Sequence, residues 1–110
     1  MEIKYKMWLE KDGEVIAGNG KVGLLKMIDE LGSIQKAAEN YGMSYRHAWG
    51  IVQKMERRSG IKLVETQVGG KEGGGAQVTG QGKRLLKQYD AFRKGLDQSV
   101  ASKFKSAFKK

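Results

Sequence analysis

Residues 32–59, GSIQKAAENYGMSYRHAWGIVQKMERRS, decide the fold of this chain. The stretch predicts one helix over Ile34–Tyr41 and a second over about Tyr45–Ser59, each preceded by a serine that suits a helix N-cap. The turn between them has three residues and begins with Gly42, a residue type that adopts left-handed backbone easily. Two helices joined by so short a turn are typical of a helix-turn-helix, whose second helix enters the DNA major groove.

The second helix of this pair has an apolar and a polar face on a wheel of about 100° per residue. Its apolar stripe, predicted to face the core, consists of Ala48, Ile51, Val52 and Met55. The opposite side carries Arg46, Gly50, Gln53 and Arg57, with His47, Trp49 and Lys54 on the flanks. Arginine and glutamine suit guanine and adenine edges, so we predict base contacts from Arg46 and Gln53. Lys54, Arg57 and Arg58 lie further along the helix and are predicted to contact phosphates.

Several side chains of this helix allow two interpretations. Trp49 could press on a phosphate or sugar, or it could be a partly buried core residue. Tyr45 lies nearer the core stripe, although its hydroxyl could reach a phosphate. His47 is the only histidine, and a solvated flank position fits it better than a pH switch or a ligand. Gly50 weakens the helix by about 1 kcal/mol relative to alanine, but would let backbone approach backbone on the outward face.

Upstream of this pair, hydrophobic periodicity predicts an amphipathic helix over Lys21–Leu31, which completes a three-helix core over residues 21–59. Residues 1–18 predict a β-hairpin. Apolar and polar residues alternate over Ile3–Leu9, which indicates a half-buried strand, and Asp12-Gly13 then marks a tight turn before a second short strand.

The hairpin is followed by GNGKVG at 18–23, which has the spacing of a dinucleotide-binding motif. That motif belongs to a βαβ unit with a parallel sheet, whereas short helical patterns follow in this chain. We therefore interpret the segment as a glycine-rich exit from the hairpin.

Downstream, residues 62–79 predict a wing of two short strands around the glycine-rich stretch 68–77. A phosphate-binding G-x-x-x-x-G-K-[ST] loop does not occur there, and the glycines could also be a flexible loop tip. Lys71 at that tip is predicted to contact a phosphate.

The last predicted helix covers residues 80–108 and would reach about 40 Å, longer than the rest of the domain needs. Its apolar stripe runs past the domain's own core, so a second chain is expected to cover it. Thr79 caps this helix. Lys83 and Arg84 lie in its first turn, where positive charge opposes the helix dipole and suits a site that meets phosphate.

Composition excludes several functional classes. A chain of 110 residues without cysteine cannot form disulfides or thiolate metal sites, and one histidine makes a histidine-rich metal centre impossible. The longest apolar runs have a few residues, and MEIKYKMW at the N-terminus lacks the apolar run of a secretion signal. We expect one cytoplasmic domain, nucleoid-associated, with no cofactor, no metal, no membrane contact and no enzymatic acid–base pair.

Charge is unevenly distributed along the chain. Residues 1–39 hold six lysines against seven acids, a net charge of −1, while residues 40–110 hold fifteen lysines and arginines against five acids, a net charge of +10. An uneven distribution also arises when charged helices simply face solvent. Together with the helix-turn-helix spacing, it makes double-stranded DNA the expected partner.

From Gly32 to Leu86 the chain resembles the DNA-binding domain of the molybdate-responsive ModE-type regulators. The resemblance is carried by GSIQKAAENYGMSYRHAW, IKLVE and GGKEGGGAQVTGQGKRLL, and the hairpin segment KMWLEKDGEVIAGNG also fits. LysR-type winged helices share the G-S-x-x-x-A-A start and the later L-T-x-x-G pattern, here Val78-Thr79-Gly80-Gln81-Gly82. The family implies an α+β, mostly α, winged helix-turn-helix that binds operator DNA as a homodimer.

Residue roles follow from that resemblance. Ser44, Tyr45 and Arg46 would open the recognition helix and contact bases, with Trp49 one turn on. Apart from the resemblance, Ser33, Thr79, Lys83 and Arg84 are predicted to join Lys71 as contacts to the DNA backbone. Dimerisation would use the N-terminal elements and the long helix, through Met7, Trp8, Leu25, Tyr89, Phe92, Leu96 and Val100. Regulators of this type carry C-terminal oxyanion-binding modules, and this sequence ends at Lys110 without them, so no small-molecule effector is expected here.

Three functions remain open on the sequence alone. The first is a dimeric sequence-specific transcription regulator. The second is a nucleoid-type architectural protein with little sequence preference, which would show steep salt dependence and a specificity ratio near one. The third is an interaction module whose long helix recruits another protein, with DNA binding lost.

Overall fold

The computed structural model describes residues 1–67 and 75–109. Its elements follow one another in the order β1 (Trp8–Lys11), β2 (Glu14–Gly18), α1 (Asn19–Leu31), α2 (Ile34–Asn40), α3 (Tyr45–Ser59), β3 (Val64–Gln67), β4 (Gly75–Val78) and α4 (Gly80–Ala107). This is the mostly helical α+β order predicted from the sequence. Lys71 lies outside the described residues.

The helix-turn-helix consists of α2 and α3, and both predicted serine caps are confirmed. Ser33 Oγ accepts a hydrogen bond from the Lys36 amide at 3.1 Å, and Ser44 Oγ accepts one from the His47 amide at 3.0 Å. Gly42 turns the chain between the helices with a φ of 68°, in the left-handed region that glycine tolerates. The spacing of this motif is therefore encoded locally.

The β-hairpin is shorter than the predicted one. Asp12 and Gly13 both have positive φ, 53° and 80°, which gives the primed turn whose twist matches antiparallel strands. The first strand begins at Trp8, so the prediction of a strand from Ile3 is wrong. Trp8 pairs with Gly18, the last residue of β2, and α1 starts at the next residue, so residues 1–7 have no strand to pair with.

The GNGKVG segment lies mostly inside α1, which starts at Asn19 rather than Lys21. The segment therefore leaves the hairpin, as interpreted, and does so as the first turns of α1. Gly23 has a packing role, because a Cβ at this position would lie 2.8 Å from the Tyr41 hydroxyl. The glycine thus leaves room beside α1 for the Tyr41 hydroxyl, the far end of an exposed side chain.

The wing is an antiparallel pair in which Val64 lies opposite Val78. It is fastened to the end of α1, because the Ala76 amide donates to the Gly32 carbonyl at 3.0 Å and the Val78 amide donates to Asp29 Oδ1 at 3.3 Å. These bonds place the base of the wing beside the helix-turn-helix.

One hydrophobic core joins the hairpin, the first three helices, the wing and the start of α4. Its largest fully buried side chains are Leu24, Leu25, Ile28, Val52, Met55, Leu63 and Val64. Tyr41, the C-cap residue of α2, is 43% exposed.

The long helix α4 contributes little to this core. Its buried residues are Gly82, Leu86 and Tyr89, all in the first ten positions of a helix that continues to Ala107. At 1.5 Å per residue the helix measures about 42 Å, and the molecule extends over 62 × 29 × 22 Å. The distal half of α4 therefore projects away from the domain.

Candidate nucleic-acid interface

The sides of α3 differ sharply in exposure. Ala48, Val52 and Met55 are fully buried, as predicted, and anchor the helix in the core. The opposite side is exposed and carries Arg46, Gly50, Gln53, Lys54 and Arg57. The result is a protruding helix whose free face bears three cations and one amide.

The first turn of α3 has a capped backbone and exposed side chains. Ser44 uses a lone pair to cap the helix, so its hydroxyl hydrogen remains available to a ligand. Tyr45 and His47 are exposed, whereas Trp49 is half-buried and packs against the core. The structure thus places the Trp49 ring at the border between core and outward face.

Gly50 lies in the middle of the exposed face. A Cβ built at this position meets no atom within 4 Å. The glycine is therefore not required by packing inside the chain, which distinguishes it from Gly23 in α1. Because Gly50 lies on the outward side and has no side chain, the α3 backbone at this position is accessible to a ligand.

Arg58 has a different environment from the other α3 cations. Its Nη1 donates to the Val15 carbonyl at 2.8 Å, and its Nε lies 3.4 Å from Glu14 Oε2. The predicted phosphate contact assumed a solvent-exposed side chain, but the guanidinium is already bound within the chain to the hairpin. We therefore assign Arg58 to the fold and remove it from the candidate interface.

Thr79 is likewise used within the chain. Its hydroxyl donates to the Lys62 carbonyl at 2.6 Å and accepts from the Gly82 amide at 3.0 Å. A hydroxyl has one hydrogen, and the Lys62 carbonyl already accepts it, so none is left to donate to a phosphate. The predicted contact of Thr79 with the DNA backbone is therefore wrong. Ser33 is half-buried and caps α2.

Two cations flank the candidate interface at the start of α4. Lys83 and Arg84 are exposed in the first turn of that helix, directly after the wing. The free amides and dipole of a helix N-terminus favour an anion. This turn therefore favours an anion twice, through the helix N-terminus and through two positive side chains.

Glu56 was missed by the sequence analysis. Its Oε2 accepts hydrogen bonds from the amides of Leu63 at 2.8 Å and Val64 at 3.2 Å, and lies 3.8 Å from Lys62 Nζ. The carboxylate therefore fixes the base of the wing to α3. A single acid on an otherwise basic helix was the signal that could have identified it.

The predicted dimer residues fall into an exposed and a buried group. Trp8 and Phe92 are 52% and 64% exposed, while Met7, Leu96 and Val100 are half-buried. Leu25 and Tyr89 are buried in the chain's own core, so their predicted role at a dimer surface is wrong. The helical pattern marked both residues as apolar but could not show which neighbour covers them.

A polar cluster joins the N-terminal segment to α4. The Tyr5 hydroxyl donates to Asp97, the Arg93 Nε donates to the same Asp97 oxygen at 3.0 Å, and the Arg93 guanidinium lies 5.3 Å from the centre of the Tyr5 ring. The hydrogen bond from Tyr5, followed by that from Arg93, lowers the pKa of Asp97 below its ordinary value. The same bond to the carboxylate raises the pKa of Tyr5 above 10.0.

Within residues 1–67 and 75–109, no group of three or more His, Cys, Asp or Glu side chains is arranged to hold a metal ion. None of the helices described above is both long and apolar enough to cross a membrane.

Comparison with known sequences gives one family. The family model described as bacterial regulatory helix-turn-helix protein, lysR family, matches residues 21–83. The DNA-binding transcriptional dual regulator ModE of Escherichia coli (strain K12) is 38% identical over 90 residues, which are 82% of this chain and 34% of that protein. The molybdenum-pterin-binding protein MopB of Rhodobacter capsulatus is 39% identical over 98 residues, 89% of this chain and 36% of that protein. The chain thus spans about a third of the length of these curated relatives, and the resemblance to ModE-type regulators is confirmed.

Comparison with solved structures gives the same fold. The crystal structure of the CbnR_DBD-DNA complex matches with a TM-score of 0.59 at 18% sequence identity, over 80% of this chain and 95% of that chain. At this identity the likeness concerns the fold alone. It confirms the winged helix-turn-helix architecture predicted from the sequence.

Proposed function

The chain belongs to the LysR family of bacterial regulatory helix-turn-helix proteins, and on that premise we propose that it regulates transcription by binding operator DNA as a homodimer. In each copy α3 is the recognition helix and lies in the major groove with its exposed face toward the bases. Arg46 and Gln53 contact base edges, and Ser44 and Tyr45 contribute from the N-terminal turn. Gly50 lets the helix backbone approach the DNA.

The observation that carries the proposal is the two-sided exposure of α3. A helix enters a groove about 12 Å wide only if its outward face protrudes from the domain. Ala48, Val52 and Met55 are fully buried on one side, while Arg46 and Gln53 are exposed on the other. The core therefore holds the helix rigidly and leaves its reading face free.

Phosphate contacts are assigned to cations that stay exposed in the free chain. Lys54 and Arg57 extend along α3, and Lys83 and Arg84 lie at the start of α4. We propose that Trp49, which is half-buried at the border of the core, presses on a sugar or phosphate. These contacts fix the register of the protein on the duplex but carry no sequence information themselves.

Dimerisation is assigned to the part of α4 beyond Tyr89. The stripe formed by Phe92, Leu96 and Val100 continues the apolar face of the helix past the last residue that the domain itself buries. Trp8 in the hairpin adds a second exposed aromatic ring. A pair of such chains would present two recognition helices to major grooves one helical turn apart, or a multiple of it, on an inverted repeat.

The test is a selection of bound duplexes from random DNA, followed by affinity measurements on the selected site. We expect an inverted repeat. We also expect Arg46→Ala and Gln53→Ala each to weaken binding to that site by about 1–3 kcal/mol, with little effect on random DNA.

Arg57→Ala is the matched control, because a lost phosphate contact weakens binding to selected and random DNA alike. Equal losses on both DNAs for Arg46→Ala would contradict base readout by that residue. A selection that returns no common sequence, with a specificity ratio near one, would favour an architectural DNA-binding protein instead.

A further inference from the structure

Adjacent arginines at the end of α3 have opposite surroundings. The Arg57 side chain is exposed. The Arg58 side chain is only 27% exposed and spans from α3 to the hairpin, where it binds the Val15 carbonyl and Glu14. A guanidinium presents several N–H donors in a fixed planar arrangement, so holding two acceptors at once restricts how α3 can rotate against β2.

A second bond holds the same end of α3 to the hairpin. Lys11 Nζ, in β1, donates to the carbonyl of Ser59, the last residue of α3, at 3.0 Å. Ile16 and Ala17 of β2 are buried in the core that α3 shares. The hairpin and the recognition helix are therefore joined through both strands, by polar and apolar contacts.

The residues that flank the hairpin are hydrogen-bonded to α4. Asn19 follows β2 directly, and its Oδ1 accepts hydrogen bonds from the Tyr89 hydroxyl at 2.6 Å and from Arg93 Nη1 at 3.0 Å. Tyr5, just before β1, donates to Asp97. The strands of the hairpin thus bind α3, while the residues that flank them, Tyr5 and Asn19, bind α4.

We propose that Arg58 is a positioning residue that locks the recognition helix to the hairpin, so that the hairpin transmits the geometry of the α4 dimer to the helix that reads DNA. This inference rests on the proposed function, since it concerns operator binding by a homodimer. In a two-fold dimer the distance between recognition helices sets the half-site spacing. One base pair of spacing changes that distance by about 3.4 Å and the relative rotation by about 34°, so only a rigid connection rejects the wrong spacing.

The experiment compares duplexes whose two half-sites, taken from the random selection, are separated by the selected spacing or by one base pair more or less. The unmodified chain is expected to prefer the selected spacing by about tenfold or more. In Arg58→Ala this preference falls to about threefold or less, while the slope of log affinity against log salt stays the same. Arg58→Lys keeps the charge but lacks the planar set of donors, so its spacing preference also falls.

Arg57→Ala is the matched control for a phosphate contact. It should weaken binding to every duplex and reduce the salt slope by about 1.8, from one contact in each of two copies, without changing the spacing preference. Thermal unfolding by circular dichroism identifies variants that are folded at the assay temperature. Should Arg58→Ala be unfolded, Arg58→Lys makes the same comparison.

The outcomes separate the two proposals. Suppose that the unmodified chain selects an inverted repeat. If folded Arg58 variants then keep its spacing preference, or if their slope of log affinity against log salt falls as it does in Arg57→Ala, the positioning role is wrong. The proposed function stands in both cases. If the unmodified chain binds no duplex at low salt, the proposed function is overturned and the positioning role with it.

Discussion

At the scale of single residues, Gly50 and Gly82 differ in what surrounds the missing side chain. A Cβ at Gly50, in α3, meets nothing within 4 Å. A Cβ at Gly82, in the first turn of α4, would lie 2.6 Å from Val78 Cγ1 and 2.8 Å from the Leu63 carbonyl oxygen. The start of α4 therefore approaches the wing as closely as it does only because residue 82 has no side chain.

We expect alanine to have opposite effects at these positions. Gly50→Ala should stabilise the fold by up to about 1 kcal/mol, because alanine is the better helix former and enters open space. Gly82→Ala should destabilise it by about 1–3 kcal/mol, because the wing must move away from a backbone oxygen contact. Urea unfolding of both variants measures the difference, and a stabilised Gly82→Ala would contradict the packing seen between α4 and the wing.

At the scale of elements, α4 has two parts with different partners. Its first turns pack into the domain through Leu86 and Tyr89, and its distal part carries Phe92, exposed by 64%. The sequence pattern predicted a stripe that runs past the domain's own core, with the dimer part beginning at Tyr89. Up to Tyr89 the apolar side of α4 packs on the domain's own core, and beyond Tyr89 it does not. The position of this change depends on where the first turns of α4 meet the core, and the periodicity of one helix does not specify that position.

Phe92→Asp should therefore separate dimerisation from folding. A charged side chain in the apolar stripe disfavours pairing of two α4 helices, while the exposed position leaves the domain core unchanged. Sedimentation at micromolar concentration should show a monomer with an unchanged circular-dichroism spectrum. Gln98→Asp, at an exposed position of the same helix outside the stripe, should remain dimeric, and a dimeric Phe92→Asp would place the interface elsewhere.

The contact between the N-terminal segment and α4 is expected to depend on pH. Because the pKa of Asp97 is lowered in the folded chain, its carboxylate stabilises the fold above the ordinary aspartate pKa of 3.8, and this contribution is lost as the pH falls through the lower folded value. Asp97→Asn should thus show a smaller drop in melting temperature between pH 6 and pH 3 than the unmodified chain.

Tyr5→Phe serves as the companion variant, because it removes the hydrogen-bond donor that contributes most to the lowered pKa of Asp97. Its acid sensitivity should also be reduced. If both variants lose as much melting temperature between pH 6 and pH 3 as the unmodified chain, Asp97 does not contribute to acid sensitivity.

At the scale of the whole molecule, positive charge is concentrated in the part of the chain that holds both the recognition helix α3 and the long helix α4. Residues 1–39, which include the hairpin and α1, carry a net charge of −1, and residues 40–110, which include α3 and α4, carry +10. Much of this positive charge lies on exposed side chains of α3 and α4, which the proposed function turns toward DNA. The Coulombic attraction to phosphates would then dominate non-specific binding.

Binding should consequently weaken steeply with salt. Lys54, Arg57, Lys83 and Arg84 give four proposed phosphate contacts per copy, hence about eight in a dimer and a slope of log affinity against log salt near −7. Fluorescence anisotropy between 50 and 200 mM salt should show a loss of about 10³–10⁵-fold. A slope near −2 would mean that most of these side chains remain in solvent when DNA is bound.

Local signals in the sequence determined the helix-turn-helix and the hairpin turn. The caps at Ser33 and Ser44, the turn at Gly42 and the Asp12-Gly13 pair act over three or four residues, so each is readable without knowing the rest of the fold. The exposed face of α3 was also predictable, because helical periodicity separates its core stripe from Arg46 and Gln53.

Only the tertiary structure decided which polar groups are hydrogen-bonded within the chain and which apolar groups are buried in its own core. Arg58 and Thr79 have the residue types of phosphate contacts, but their partners lie 43 and 17 residues away in sequence, at Val15 and Lys62. Leu25 and Tyr89 are apolar residues on amphipathic helices, and the domain's own core buries both. A helical pattern shows which face is apolar or charged, but the occupant of that face is set by contacts between distant segments, which form only when the chain folds.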